Sequence, residues 1–221
     1  MMTKHHKGYK GLPMEGFIAT WYAKNTQKDM AEFRQLAALV AEQVADGSRI
    51  LEIAPGPGYL AIELAKLRTY AIVGLDISAS FVKIATENAH TAGVNIEFRQ
   101  GDAAALPFDA ESFDFIVCRA AFKNFMKPIK ALHEMHRVLK VGGKALIVDL
   151  RHDVAPEAID TYVQHMGLSR LNALMTKWIF KHMLIKRAYT QEQFRDMVAA
   201  TPFKACDIKA NPLGLEVSLL K

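Results

Sequence analysis

Cysteine is scarce in this chain of 221 residues: there are two, Cys118 and Cys206, with no metal-ligand spacing. A disulfide-stapled fold and a zinc-knuckle module are therefore both excluded, and a reducing, cytoplasmic setting is expected. No apolar run approaches the ~18–20 residues that span a bilayer. The basic N-terminus, MMTKHHKGYKG, has no apolar segment behind it, which argues against secretion. There is no internal repeat and no low-complexity tract. Acidic residues are missing between Thr161 and Gln191, where Arg170, Lys177, Lys181, Lys186 and Arg187 occur. That stretch alone carries a charge equal to the formal +5 of the whole chain. What remains is a globular composition, 51% hydrophobic and 23% charged, long enough for one α/β domain with a sizeable core.

Residues 1–13 read as a loose basic segment with Gly8, Gly11 and Pro13, followed by a helical pattern from Gly16 to Ala45. Strand and helix then take turns. RILEIA, TYAIVGLDI, NIEFRQGD, FDFIVCRAA and KALIVDL are strands, with YLAIELAK, SASFVKIATENAHTAG and PIKALHEMHRVLK as helices among them. Apolar strands alternating with helices predict a mostly parallel sheet covered on both faces. After Asp149 the rhythm breaks into a helical stretch at 152–188. There Leu171, Leu174, Met175, Trp178, His182 and Ile185 form one stripe, expected to bury on the core, and Arg170, Lys177 and Lys181 fall on a solvated side. A basic face of that kind could also attract an anionic substrate or lie on a membrane surface. The helix at TQEQFRDMVAA opens with Thr190 and Gln193 in capping-box spacing. FKACDIKA and LGLEVSLLK close the chain as an antiparallel pair at a sheet edge.

The sharpest local signal is LEIAPGPGYLAIELAK: a buried strand running into Pro55-Gly56-Pro57-Gly58 and straight into an apolar helix. A turn so poor in side chains suits a main chain that must lie close to a ligand. Asp76 ends the next strand about twenty residues after Gly56, where an acid can accept hydrogen bonds from both ribose hydroxyls. Gly101-Asp102, after the third strand, could meet an exocyclic amine of adenine. Alone, each has a plain structural reading, as a tight turn, a helix cap or a loop acid. Together, at the ends of three successive strands, they describe a ligand-binding crest.

With RQGDAAALPF, FDFIVCRAAF and HRVLKVGGKALIVDL added, the chain resembles the class I S-adenosylmethionine-dependent methyltransferases. It is similar, within them, to the small-molecule group that includes the ubiquinone/menaquinone C-methyltransferases. The likeness covers about residues 15–150. It implies an α/β fold: a doubly wound, Rossmann-like sheet of seven mostly parallel strands with an antiparallel C-terminal hairpin and a helical lid. One domain would comprise an N-terminal helical cap (1–45), a cofactor-binding core (46–151), a lid (152–188) and a terminal helix and hairpin (189–221).

The resemblance also implies S-adenosyl-L-methionine as cofactor. Glu52 would hold its amino-acid end, Ala54, Gly56 and Gly58 would form the turn, and Asp76 with Ile77 would take the ribose. Gly101, Asp102 and Ala103 would meet the adenine, and Arg119 would stand beside the methionine part. Where this family usually has its first glycine the chain has Ala54 followed by Pro55, so a left-handed angle at 54 is disfavoured.

Methyl transfer from a sulfonium releases a neutral thioether, so catalysis rests on alignment, and a base is needed only if the acceptor must lose a proton. Tyr22 over the methyl donor, Asn124 after the fourth strand and His165 in the lid are the candidate catalytic residues, and no metal is called for. His152 is a further conceivable base, and Asp149 and Arg151 either face the pocket or pair with each other. The acceptor would be a small molecule, anionic or apolar, with its methylated atom and the oligomeric state left open. Two alternatives stand beside this reading. A nucleic-acid methyltransferase would need an NPPY- or DPPY-like motif where the chain has CRAAFKNF. A nicotinamide-dependent oxidoreductase shares the glycine turn and Asp76, but not the Gly101-Asp102 crest or the terminal hairpin. A non-catalytic binding protein keeping the fold is a third possibility.

Overall fold

Strands that are apolar on both sides need cover on both sides. The computed structural model, which describes residues 8–11, 13–167 and 169–221, meets that need with one seven-stranded sheet. Its strands are β1 (Arg49–Ile53), β2 (Ala71–Asp76), β3 (Glu97–Gln100), β4 (Phe113–Arg119), β5 (Leu139–Leu150), β6 (Ala205–Ala210) and β7 (Gly214–Leu220). Their spatial order is β3-β2-β1-β4-β5-β7-β6. The first five are parallel, and β7 lies antiparallel between β5 and β6. The terminal hairpin thus sits at one edge as the sequence predicts. Its turn is held by Asn211, whose Oδ1 accepts from the Leu213 and Gly214 amides at 2.9 and 2.7 Å. Because chain direction reverses its march across the sheet between β1 and β4, the carboxyl ends of those strands flank the place where such folds open a ligand cleft.

The helices are α1 (Gly16–Thr26), α2 (Met30–Ala41), α3 (Tyr59–Leu67), α4 (Ala79–Thr91), α5 (Pro128–Val138), α6 (Pro156–His165), α7 (Arg170–Ile179) and α8 (Gln191–Ala199). Side-chain alternation along β1 divides the core in two. Ile50 joins Phe33, Ala37 and Leu60 on one face, while Leu51 and Ile53 join Leu132, Met135 and Phe194 on the other. Ser78 caps α4 by accepting from the Phe81 amide at 3.0 Å, and the Thr190–Gln193 capping box of α8 is complete.

Two features differ from the sequence reading. The single helix expected over 16–45 is two, separated by a tight turn at Gln27–Asp29. Only α2 carries the core stripe of Phe33, Ala37 and Val40, while α1 buries just Ala19 and Ala23. The stripe on α7 is the larger departure. Leu171, Leu174, Met175 and Trp178 are 78, 67, 56 and 57% exposed, facing solvent rather than core. The reason is local: α7 rests on α6 through Ala173, and the turn after it through Phe180, against a small cluster of Ile159, Val163 and Ile185. Ala173 lies on the opposite side of α7 from the large apolar residues.

Candidate functional site

Because β1 to β4 are parallel neighbours, their carboxyl ends share one sheet edge, and the sequence candidates gather there. Ala54, Ile77, Gly101, Asp102 and Ala103 line one small cavity, of about 20 Å³, with Ile53 and Leu75 at its floor. Gly8 and Phe125 close it from above. The backbone of residues 8–11 runs across this edge as a strap. The Lys10 amide donates to the Asn124 carbonyl at 2.8 Å, and the Met126 amide donates to the Gly8 carbonyl at 3.0 Å. Farther along, Ser78 Oγ donates to the Met14 carbonyl, and the Glu15 carboxylate accepts from the Ala79 and Ser80 amides at the start of α4.

The glycine turn itself is built by Asp76. Its Oδ2 accepts from the Gly56 amide at 3.0 Å and its Oδ1 from the Ser78 amide at 2.9 Å. Burial outweighs both bonds and raises the carboxyl to about 6. The two glycines do different work. Gly56, at φ 54°, has open space above it up to the Tyr22 ring, 4.0 Å from where a Cβ would stand. Gly58, at φ 80°, is pressed against Ala85 and Phe98, either of which a Cβ would meet at 3.0 Å. Ala54 takes the left-handed conformation after all, at φ 57°, held by its amide donating to the Leu75 carbonyl at 2.8 Å. Ala120, just past β4, sits at φ 57° as well. Strain at two non-glycine residues, at the ends of adjacent strands β1 and β4, marks this edge as over-determined by its surroundings.

Glu52 is 3% exposed, and its Oε2 has no hydrogen-bond partner. Burial pushes its carboxyl up to about 8, against the pull of the Ala61 amide and the Arg119 guanidinium. Arg119 ends β4, paired with Glu32 at 2.6 Å and laid over the Phe33 ring at 4.4 Å. Asn124 is also buried, and its Oδ1 is likewise without a partner. Among the described residues these two oxygens are the only buried side-chain polar atoms left unsatisfied. Buried polar groups are nearly always paired, so these two oxygens leave places for a donor from a water or a ligand.

Tyr22 packs edge-on against Phe81, ring centroids 5.6 Å apart, and burial raises its hydroxyl above the usual tyrosine value. The side chain of His165 lies outside the described residues. His152 is engaged elsewhere, its Nδ1 bonded to the Ile185 carbonyl at 2.9 Å. Phe122 enters the core, stacked on Phe194 at 5.0 Å. Asp149 and Arg151 do not pair: Arg151 holds Asp153, and Asp149 holds Lys123. That last pair is the feature sequence reasoning missed. Lys123 Nζ donates to Asp149 Oδ1 at 2.7 Å and to the Ala120 carbonyl at 2.6 Å, while its amide donates to Asp149 Oδ2 at 2.8 Å. Both side chains are almost wholly buried. A lysine inside the apolar stretch AAFKNF was the available signal.

This set of acceptors suits a cofactor bearing an ammonium, a ribose diol and an adenine: an orphan carboxyl group, a second one beside a glycine turn, and a third lining the small cavity. Comparison with known proteins agrees. Residues 51–147 match the methyltransferase domain family. The chain is 35% identical over 161 residues to the uncharacterized methyltransferase YcgJ of Bacillus subtilis, covering 68% of this chain and 62% of that protein. It is 33% identical over 131 residues to the ubiquinone/menaquinone biosynthesis C-methyltransferase UbiE of Pseudoalteromonas translucida, covering 56% and 52%. The matched stretch thus spans roughly half to two thirds of the length of these relatives. A crystal structure of a proposed S-adenosyl-L-methionine-dependent methyltransferase from Methanococcus maripaludis superposes with a TM-score of 0.75 over 92% of both chains, at 24% identity, and so shares the fold. By its sheet order, by the glycine turn and acids along one sheet edge, and by these matches, residues 51–147 form a methyltransferase domain, set in a fold shared with the class I S-adenosyl-L-methionine-dependent enzymes.

Proposed function

We propose that this protein transfers a methyl group from S-adenosyl-L-methionine to a small molecule with an apolar body, by in-line displacement. One observation carries the reading: of the two orphaned buried oxygens, that of Glu52 lies near the end of β1 and that of Asn124 in the turn that follows β4, the two strands that flank the switch point. When bound, the cofactor supplies an electrophilic methyl on a sulfonium that leaves as a neutral thioether. The protein's part is then to bind, align and exclude water.

In this reading Glu52 accepts from the cofactor's ammonium and gains the counter-charge that its burial denies it. Asp76 keeps the turn in place through Gly56 and offers its remaining lone pairs to the ribose diol. Ile77, Gly101, Asp102 and Ala103 frame the base, with Gly8 above. Arg119 stands near the amino-acid end, and Tyr22 covers the reacting side of the turn. Asn124 Oδ1 accepts a proton donor on the acceptor and fixes its angle of approach. The acceptor's chemistry is suggested by UbiE, described as a C-methyltransferase of ubiquinone and menaquinone biosynthesis, and an electron-rich ring carbon is the atom we favour; the proton that carbon sheds once the new C–C bond has formed is released to solvent. Residues 152–188 serve as a lid within a single functional unit. A cytoplasmic setting fits two free cysteines, one of them buried.

Calorimetric titration with S-adenosyl-L-homocysteine tests the reading. Micromolar-range binding that raises the melting temperature is expected, together with methyl transfer to a demethylated quinol. A melting curve unmoved by cofactor and by product would overturn it.

A further inference from the structure

The outward stripe on α7 has no role in the proposed chemistry. Leu171, Leu174, Met175 and Trp178 recur at the spacing of one helix face, all more than half exposed. Arg170, Lys177 and Lys181 line one flank of that face, a quarter-turn or so from its centre. Lys177 is paired with Asp160 of α6. Arg170, Lys181 and Lys186 are exposed and have no carboxylate partner among the described residues. A second outward apolar ridge, Phe17 and Trp21, 82 and 56% exposed, stands on α1. Soluble chains rarely leave large apolar side chains in such a row without a use for them.

We propose that α7 is an interfacial helix that seats this protein on an anionic lipid bilayer. Charge decides among the occupants. Residues 161–191 hold five basic side chains and no acidic one, so a second copy of the chain would bring like charge against like. An anionic headgroup layer meets that charge directly, and the Leu, Met and Trp side chains enter the acyl boundary beneath it. No helix among the described residues is long and apolar enough to cross a membrane, so contact through this face would be peripheral. The inference rests on exposure and charge, and stands whether or not the chain methylates anything.

The test is co-sedimentation of the full chain with vesicles of phosphatidylglycerol and phosphatidylcholine, set against vesicles of phosphatidylcholine alone. Partition is expected to be about tenfold stronger on the anionic vesicles, to weaken with salt, and to shift tryptophan emission to the blue. Leu171→Ser with Trp178→Ser, and separately Arg170→Glu with Lys181→Glu, should each lower partition about tenfold. All four positions are exposed, and thermal melts check that the variants fold. Equal binding to both vesicle types, or variants that bind as the parent does, would overturn the proposal. So would a concentration-dependent dimer, seen by sedimentation velocity, that Trp178→Ser dissolves. Titration of S-adenosyl-L-homocysteine into the same preparations reports the cofactor site separately.

Discussion

Burial raises the Glu52 carboxyl to about 8 and that of Asp76 to about 6, so the ligand-free protein holds protons there that its unfolded chain would release. The sign follows from linkage. The stability from protonated Glu52 is fully present below 4.5 and is lost as pH rises to about 8; for Asp76 the window runs from 3.8 to about 6. The ligand-free melting temperature should therefore fall between about pH 6 and pH 8. Glu52→Gln should flatten that fall, because a neutral amide has nothing to ionise. The same change should weaken S-adenosyl-L-homocysteine about 10- to 100-fold, the range of one charge-assisted hydrogen bond. A variant that keeps both the parent's slope and its affinity would remove Glu52 from the site. Ala54 belongs to this scale too. An alanine at positive φ costs about 1 kcal/mol more than a glycine would, and the Leu75 carbonyl holds it there.

Between elements, the Lys123–Asp149 pair ties the turn after β4 to the end of β5. Desolvating two charges is costly, and three further hydrogen bonds to backbone groups offset it: the Lys123 and Leu150 amides on Asp149, and the Ala120 carbonyl on Lys123. Removing one partner leaves a bare buried charge. Lys123→Met is accordingly expected to destabilise the fold by about 3–5 kcal/mol in urea melts, and Lys123→Met with Asp149→Leu to recover much of the loss. If the single change costs under about 1 kcal/mol, the pair is not structural in the way its geometry implies. The turn it anchors carries Asn124, so displacement of the turn would also disturb the orphaned Oδ1.

For the molecule as a whole, we propose that the strap at 8–11 gates the cofactor edge. A cavity of about 20 Å³ has room for little more than a water, against the roughly 300–1,000 Å³ of ordinary ligand pockets. Gly8 crowds Asp102, since a mere Cβ at Gly8 would already lie 2.8 Å from the Asp102 carboxylate, so a nucleoside seated there is expected to displace the strap. The strap is fastened by few bonds, chiefly those through Gly8 and Lys10, which suits a segment that opens and closes. Deleting residues 1–11 should raise the association rate of S-adenosyl-L-homocysteine, measured by stopped flow, by about threefold or more, since less of the ligand's time is spent waiting for an open state. Glu15, which caps α4, stays in the shortened chain, so its melting temperature should move little. An unchanged association rate would show that the strap does not gate the site.

The alternation of apolar strand and helix, the glycine turn at 55–58, and the acids at 76 and 102 were legible residue by residue. Each rests on short-range rules: period, capping and turn chemistry act within a few positions. That is why the parallel sheet, the terminal hairpin and the crest could be placed from the chain alone. The Lys123–Asp149 pair could not, because it joins residues 26 apart that meet only once β4 and β5 lie side by side. Nor could the fate of the α7 stripe. Periodicity says which residues share a helix face; only the tertiary packing of Ala173 onto α6 decides that this face turns outward. The left-handed Ala54 is of the same kind, a local preference overruled where its amide donates to the Leu75 carbonyl of the neighbouring strand. Sequence determined most of the elements and the residues at their ends, and assembly decided which side chains would be buried, paired or left exposed.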